Sequence, residues 1–187
     1  MNARSLAVTA QLASASAASA ATALYREHGD FVWRNARRLG CADEWVDDAV
    51  QEVFLVAVRR CGELGEESNV RGWLFAITFR VVQRMQRDRS RYRARLSRYV
   101  EAQVEAPTAS PEGASHAARE LRELLAELDD VKRVVVILVE LEGMTSAEVS
   151  RLLGVPQGTV DTRLRAARKQ LQDALQRQRA TEKGVIP

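Results

Sequence analysis

Apolar residues recur three and four positions apart along most of this 187-residue chain. That period is close to the 3.6 residues of an α-helical turn, so the pattern predicts helices throughout. Leu24, Phe31, Val32 and Trp33 mark a first helix, closed by Gly40. Val46, Ala49, Val50, Val53, Ala57 and Val58 share one face of a second, from near Asp43 to about Arg60. Gly62 and Gly65 then break the chain, and the polar, acidic segment 62–70 reads as a loop. Leu74, Ile77, Phe79, Val81, Val82 and Met85 define a third long helix that starts near Val70. The stretch EAQVEAPTASPEGASH, with Pro107, Pro111 and Gly113, has the composition of a linker. Four apolar-periodic segments follow it. The chain is therefore expected to be all-α. Two small helical domains, 23–98 and 118–178, are joined by a flexible linker, 99–117. The Ala/Ser-rich residues 1–22 are read as a mobile N-terminal tail and 179–187 as a C-terminal tail.

The second domain carries a more specific signal. Thr145 and Glu148 fit a capping box at the start of a short helix whose buried face is Val149, Leu152 and Leu153. Gly154 suits the positive φ that ends a helix, and Pro156 suits the start of the next. Two helices set at an angle by so short a break predict a helix-turn-helix. In the second of them Val160, Leu164, Ala167, Leu171 and Leu175 fall on one side. Thr162, Arg165 and Lys169 fall on the other. An apolar back with hydroxyl and cationic groups opposite suits a helix lying in the major groove of duplex DNA.

Composition refines this picture. The formal net charge of +3 does not by itself imply a nucleic-acid partner. The distribution is more telling: arginines crowd positions 84–98, while Asp43, Glu44, Asp47, Asp48 and Glu52 crowd another segment. Separated charge of this kind fits either two different partners or two solvated helix faces. Asp48, Gln51, Glu52, Leu55 and Arg59 form a stripe at helical spacing, suited to gripping a basic partner helix. Trp73, Phe75, Phe79 and Tyr92 interleave with arginines, which suits stacked bases and a single-strand backbone. For Trp73, Leu74 and Ile77 a place in the core is the stronger reading; Phe75 and Phe79 stay open. Cys41 and Cys61 are not spaced as metal ligands and fit structural thiols better than a redox pair. Neither a metal site nor a cofactor is expected. No apolar run is long enough to span a membrane, so no membrane insertion is expected. No triad, acid–base pair or phosphate loop points to an enzyme.

Three motifs in order resemble the small two-domain class of the sigma-70 family, the extracytoplasmic-function sigma factors. D-A-V-Q-E-V-F (48–54) resembles the segment that binds the clamp helices of the RNA polymerase β′ subunit. W-L-F-A-I (73–77) resembles the opening of the segment that melts and holds the −10 element. The stretch 142–171, from E-G-M-T to R-K-Q-L, resembles the domain that reads the −35 element. The resemblance covers about residues 24–178.

It implies an alternative sigma factor, acting in the cytoplasm, that directs core RNA polymerase to specific promoters through its β′ clamp and β subunits. An anti-sigma protein is an expected regulator. Position by position, Asp48, Gln51, Glu52 and Leu55 would meet the polymerase. Glu67, Ser68 and Asn69 would shape the pocket for a flipped −10 base, and Phe75, Phe79, Arg80, Arg84 and Arg87 would line the strand. Gln157, Gly158, Asp161, Thr162, Arg165, Ala166 and Lys169 would face the −35 groove. Arg80 and Arg84 stand where the family usually has Asn and often Asp, and Asp161 where Lys or Arg is common. Asp161 is either a base reader or a charge on the helix dipole, the latter favoured because it is placed in the first turn or so. The rival readings are a sigma-like adaptor that binds polymerase without initiating and a stand-alone helix-turn-helix regulator.

Overall fold

The helices expected from periodicity are present in the computed structural model, which describes the backbone over residues 3–60, 69–96 and 116–183 and side chains within 21–60, 69–92 and 116–179. Helix α1 is Ala3–Arg38, and a single 3-10 turn, Asp43–Trp45, leads into α2, Val46–Arg60. Helix α3 is Val70–Leu96. In the second half α4 is His116–Ala126, and α5, Asp130–Val136, runs on into a π-helical turn, Ile137–Leu141. Helices α6, Ser146–Leu153, and α7, Gln157–Lys183, complete the chain. Among the described residues there is no strand.

Local chemistry sets the ends. Gly40 takes φ +88, the amide of Gly40 donates to Arg37 O and that of Cys41 to Ala36 O. This pair of bonds is a Schellman ending, and only glycine enters it without a Cβ penalty. At the start of α3, Asn69 Oδ1 accepts from the amide of Gly72 at 2.9 Å, an N-cap. Asp129 caps α5 by accepting from the amide of Lys132 at 2.9 Å.

The front half packs α1, α2 and α3 on one another. Val46, Ala49, Val50, Val53 and Ala57 are buried along α2, as their spacing predicts, and Phe54 joins them. Leu74, Ile77, Val81 and Val82 face them from α3. In the rear half Leu125, Leu128, Val134, Val135, Ile137 and Leu138 pack against Val149, Val160, Leu164 and Ala167. The buried residues of both halves form a single connected core.

Several expectations change. Residues 1–22 were expected as a tail, yet from Ala3 the backbone is helical and continuous with α1; an Ala-rich segment has high intrinsic helix propensity. Similarly, α7 extends to Lys183, past the expected boundary at 178, and α4 begins at His116, inside the expected linker. Trp33 is not a core residue. It remains 37% exposed and lies beneath the guanidinium of Arg37, 4.6 Å from its ring centroid. Phe75 is only 1% exposed and sits in the front core. Cys41 is buried with a free thiol, in keeping with a structural role, while Cys61 and most of the linker lie outside the described residues.

Candidate nucleic-acid interface

The helix-turn-helix is assembled from reciprocal hydrogen bonds. The amide of Thr145 donates to Glu148 Oε2 at 2.8 Å, and the amide of Glu148 donates to Thr145 Oγ1 at 3.3 Å. Glu148 is held below the ordinary glutamate range, first by the Thr145 backbone donor and then by its hydroxyl. Gly154 ends α6 at φ +66. Across the turn Ser150 Oγ donates to Val155 O at 2.6 Å, while the amide of Val155 donates to Ser150 O at 3.2 Å. Pro156 stands immediately before α7, and its carbonyl accepts from the amides of Thr159 and Val160.

Helix α7 has the two faces that the sequence predicts. Val160, Leu164 and Ala167 are buried. Gln157, Gly158, Thr162, Arg165, Ala166 and Lys169 are exposed, and Asp161 is half-buried. Thr162 Oγ1 donates to Gly158 O at 2.8 Å, so its hydroxyl is oriented by its own helix. Arg165 and Lys169 make no side-chain hydrogen bond or ion pair among the described residues. Arg168, one position round, is bound by Glu140 at 2.6 Å. The cations left over lie in one line on the outward face, where they can meet phosphates. Since α7 begins at Gln157, Asp161 lies in its second turn and the first turn holds no acidic residue. The helix-dipole interaction fades beyond the first turn, so the favoured dipole reading of Asp161 is corrected.

In the front half Asp48, Gln51 and Leu55 are exposed on α2, Leu55 at 46%. Gln51 and Leu55 border an open groove of about 930 Å³ between α1 and α2, whose lining also includes Tyr25, Trp33 and Phe54. Tyr25 meets Phe54 edge to face, with centroids 5.1 Å apart. Glu52, the fourth member of the stripe, is half-buried and bound by Arg84 at 3.0 Å.

The strand-binding set is brought together only in part. Arg80 and Arg87 are exposed on α3, and Phe79 is half-buried. Asn69 is exposed at the N-terminus of α3, while Glu67 and Ser68 lie outside the described residues. Phase explains the burial of Phe75. It stands three positions from Thr78 and seven from Val82, both buried, and so shares their side of the helix.

The acidic and basic segments partly neutralise one another. Glu44 meets Arg89 at 3.0 Å, and Asp43 lies 2.8 Å from Arg37 and 2.9 Å from Arg122. Cys41 sits beside this cluster, and burial, reinforced by Glu44 and Asp43, pushes its thiol up to about 11. These pairings, and a second ionic centre at Glu142, were invisible to the sequence reading. Among the described residues no cluster of side chains is arranged to hold a metal ion, and no helix is long and apolar enough to cross a membrane.

Comparison with known proteins gives the same division. Residues 24–92 match the family model for sigma-70 region 2, and residues 118–171 match that for sigma-70 region 4. The ECF RNA polymerase sigma factor SigE of Mycolicibacterium smegmatis is 34% identical over 155 residues, covering 81% of this chain and 60% of that protein. SigM of Mycobacterium tuberculosis, also an ECF sigma factor, is 31% identical over 149 residues, 79% of this chain and 73% of the relative. A solved structure of CnrH in complex with the cytosolic domain of CnrY superposes with a TM-score of 0.61 at 28% identity, covering 87% of this chain and 94% of that one.

Proposed function

Since the chain belongs to the extracytoplasmic-function sigma factors of the sigma-70 family, we propose that its two halves divide promoter recognition between them. The front unit docks on core RNA polymerase in the cytoplasm and holds the opened −10 strand. The rear unit grips the intact −35 duplex. The observation that carries this reading is helix α7: its back is buried in the core, while Arg165 and Lys169 on the opposite face have no ion-pair partner among the described residues. A duplex supplies the phosphates and base edges that such a face lacks.

On α2, Asp48, Gln51, Glu52 and Leu55 offer acceptors and an apolar contact to a basic helix of the β′ clamp. Glu52 keeps Arg84 as an internal partner, so Arg84 serves the α2–α3 contact as well as the strand. Asn69, Phe79, Arg80 and Arg87 are assigned to the −10 strand, with Glu67 and Ser68 by position. Gln157, Gly158, Asp161, Thr162 and Ala166 are assigned to the −35 groove beside Arg165 and Lys169. Half-buried in the second turn, Asp161 is better placed to accept from a base amino group than to serve the dipole. The open groove beside Leu55 offers an anti-sigma protein an apolar seat that overlaps the polymerase stripe. The chain acts as a regulator through binding energy and catalyses nothing itself.

Reconstitution with core polymerase and a promoter library, read by transcript start sites, tests this. Starts that depend on the chain, and that Asp48→Lys abolishes through loss of polymerase association, support the assignment. Tight polymerase binding without starts would instead make the chain an adaptor.

A further inference from the structure

The two halves meet at a carboxylate. Glu142, on the turn between α5 and α6, has a side chain only 6% exposed. It accepts from Asn35 Nδ2 at 3.0 Å, Arg38 Nη1 at 2.6 Å and Arg71 Nη2 at 2.8 Å. All three donors belong to the front half. Asn35 is fully buried and is fixed by a further bond to Phe31 O at 3.0 Å. Arg71 lies over the Phe31 ring, 4.7 Å from its centroid. The donors are therefore held by α1 and the first turn of α3, not only by the carboxylate. Glu142 itself is set by the π-turn, where its amide donates to Ile137 O at 2.9 Å.

Two guanidinium groups converging on one site need an anion between them, because paired cations without one repel and lose solvation. While the halves are together, Glu142 is that anion. When the rear half moves away, the cradle is left with two cations and one amide donor. Two planar forks with a third donor match the several acceptor oxygens of a phosphodiester. Position adds a second argument. Beside the carboxylate is a hollow of about 200 Å³, bounded by Phe31, Asn69 and Arg71 on one side and by Gly143, Met144 and Glu148 on the other. Asn69 borders the loop assigned to the −10 strand, so Glu142 and its turn cover the edge where that strand would pass.

We propose that Asn35, Arg38 and Arg71 form a binding site for a backbone phosphate of single-stranded DNA, which Glu142 occupies in the closed chain as an internal substitute. This rests on the reading that the front half holds a DNA strand. Glu142 and a phosphate exclude one another, so strand capture and separation of the halves are one event. Arg122 on α4, which donates to both oxygens of Asp43 at 2.9 and 3.0 Å, secures the same closed arrangement from its other side.

The test uses the full chain, without polymerase, and a short fluorescein-labelled single strand of mixed sequence read by anisotropy over a salt series. Glu142→Gln, which keeps the shape and removes the charge, should tighten binding about tenfold, within the range of ordinary coupling between sites. The slope of log affinity against log salt should steepen by about 0.7, the release expected from one further single-strand phosphate contact. Adding Arg38→Gln and Arg71→Gln to that variant should remove both gains. Arg122→Gln, which loosens the closed state and leaves the cradle intact, should move affinity and slope in the same direction. Should Glu142→Gln unfold, as circular dichroism would show, the Arg122→Gln titration decides. Unchanged affinity and slope, or gains that survive loss of both arginines, would overturn the proposal. Transcript starts do not enter this measurement, so a failed titration and a failed reconstitution are separate results.

Discussion

Gly154 and Gly158 offer a pair of identical substitutions with opposite expected signs. A Cβ at either position meets nothing within 4 Å, so packing cannot contribute. Only backbone conformation differs. Gly154 ends α6 at φ +66, whereas Gly158 is the second residue of α7 and shows no positive φ. An alanine at Gly154 is forced into the left-handed region, which costs about 1–2 kcal/mol. Reduced freedom of the unfolded chain returns about 0.4–1 kcal/mol of that. Gly154→Ala should therefore destabilise by about 1 kcal/mol. Gly158→Ala meets no such penalty, gains the same unfolded-state term and improves helix propensity, so it should stabilise by about 0.5 kcal/mol. Urea unfolding followed by circular dichroism measures both, with an unchanged slope m confirming that the same surface is exposed. If both variants shift the midpoint in the same direction, the conformational reasoning for this turn is wrong.

Two further outcomes follow from the titrating groups. Hydrogen bonds from Thr145 depress the Glu148 carboxyl, so the stability that this group contributes is present above the ordinary glutamate range and fades as pH falls through the lower folded value. Thr145→Val should consequently destabilise at neutral pH, and its deficit should shrink on acidification. An NMR titration should show Glu148 of the variant moving back toward the ordinary range; a deficit that grows in acid would contradict the assignment. Cys41, buried and with its thiol pushed up to about 11, should react slowly with a thiol reagent at mildly alkaline pH in a Cys61→Ser chain, and rapidly once denatured. Labelling of the native chain at the denatured rate would refute that burial.

Local chemistry was legible in the sequence wherever cause and effect lie within a turn or two of each other. The Thr145–Glu148 capping box, the αL ending at Gly154 and the buried line Val46, Ala49, Val50, Val53 and Ala57 all depend on spacing alone. Leu74 and Ile77 entered the core as their period requires. The misreadings have a common origin in phase and distance. Phe75 was set among the arginines because aromatic–cation interleaving resembles a stacking surface, but a helix this close to two neighbours buries a wide arc. Trp33 sits at the edge of the apolar arc of α1, where Arg37 covers it instead of the core. The position of Asp161 hinged on a helix start a few residues away, the least certain feature of any periodic pattern. Asn35 and Glu142 are 107 positions apart, and no repeat in the chain announces that they touch. The assigned polymerase and promoter contacts rest on residue chemistry and family likeness, with Arg165 and Lys169 now distinguished from Arg168 by what each already holds.

The stitched bend between α6 and α7 bears on how recognition is energetically organised. Ser150 and Val155 close a small ring across it, and Pro156, with its fixed φ, stiffens the entry to α7. Duplex thus encounters a surface whose shape is settled beforehand, and no segment there must fold on contact. Calorimetry of operator-length DNA binding should accordingly show only the modest heat-capacity change of surface contact, without the large negative value that accompanies coupled folding.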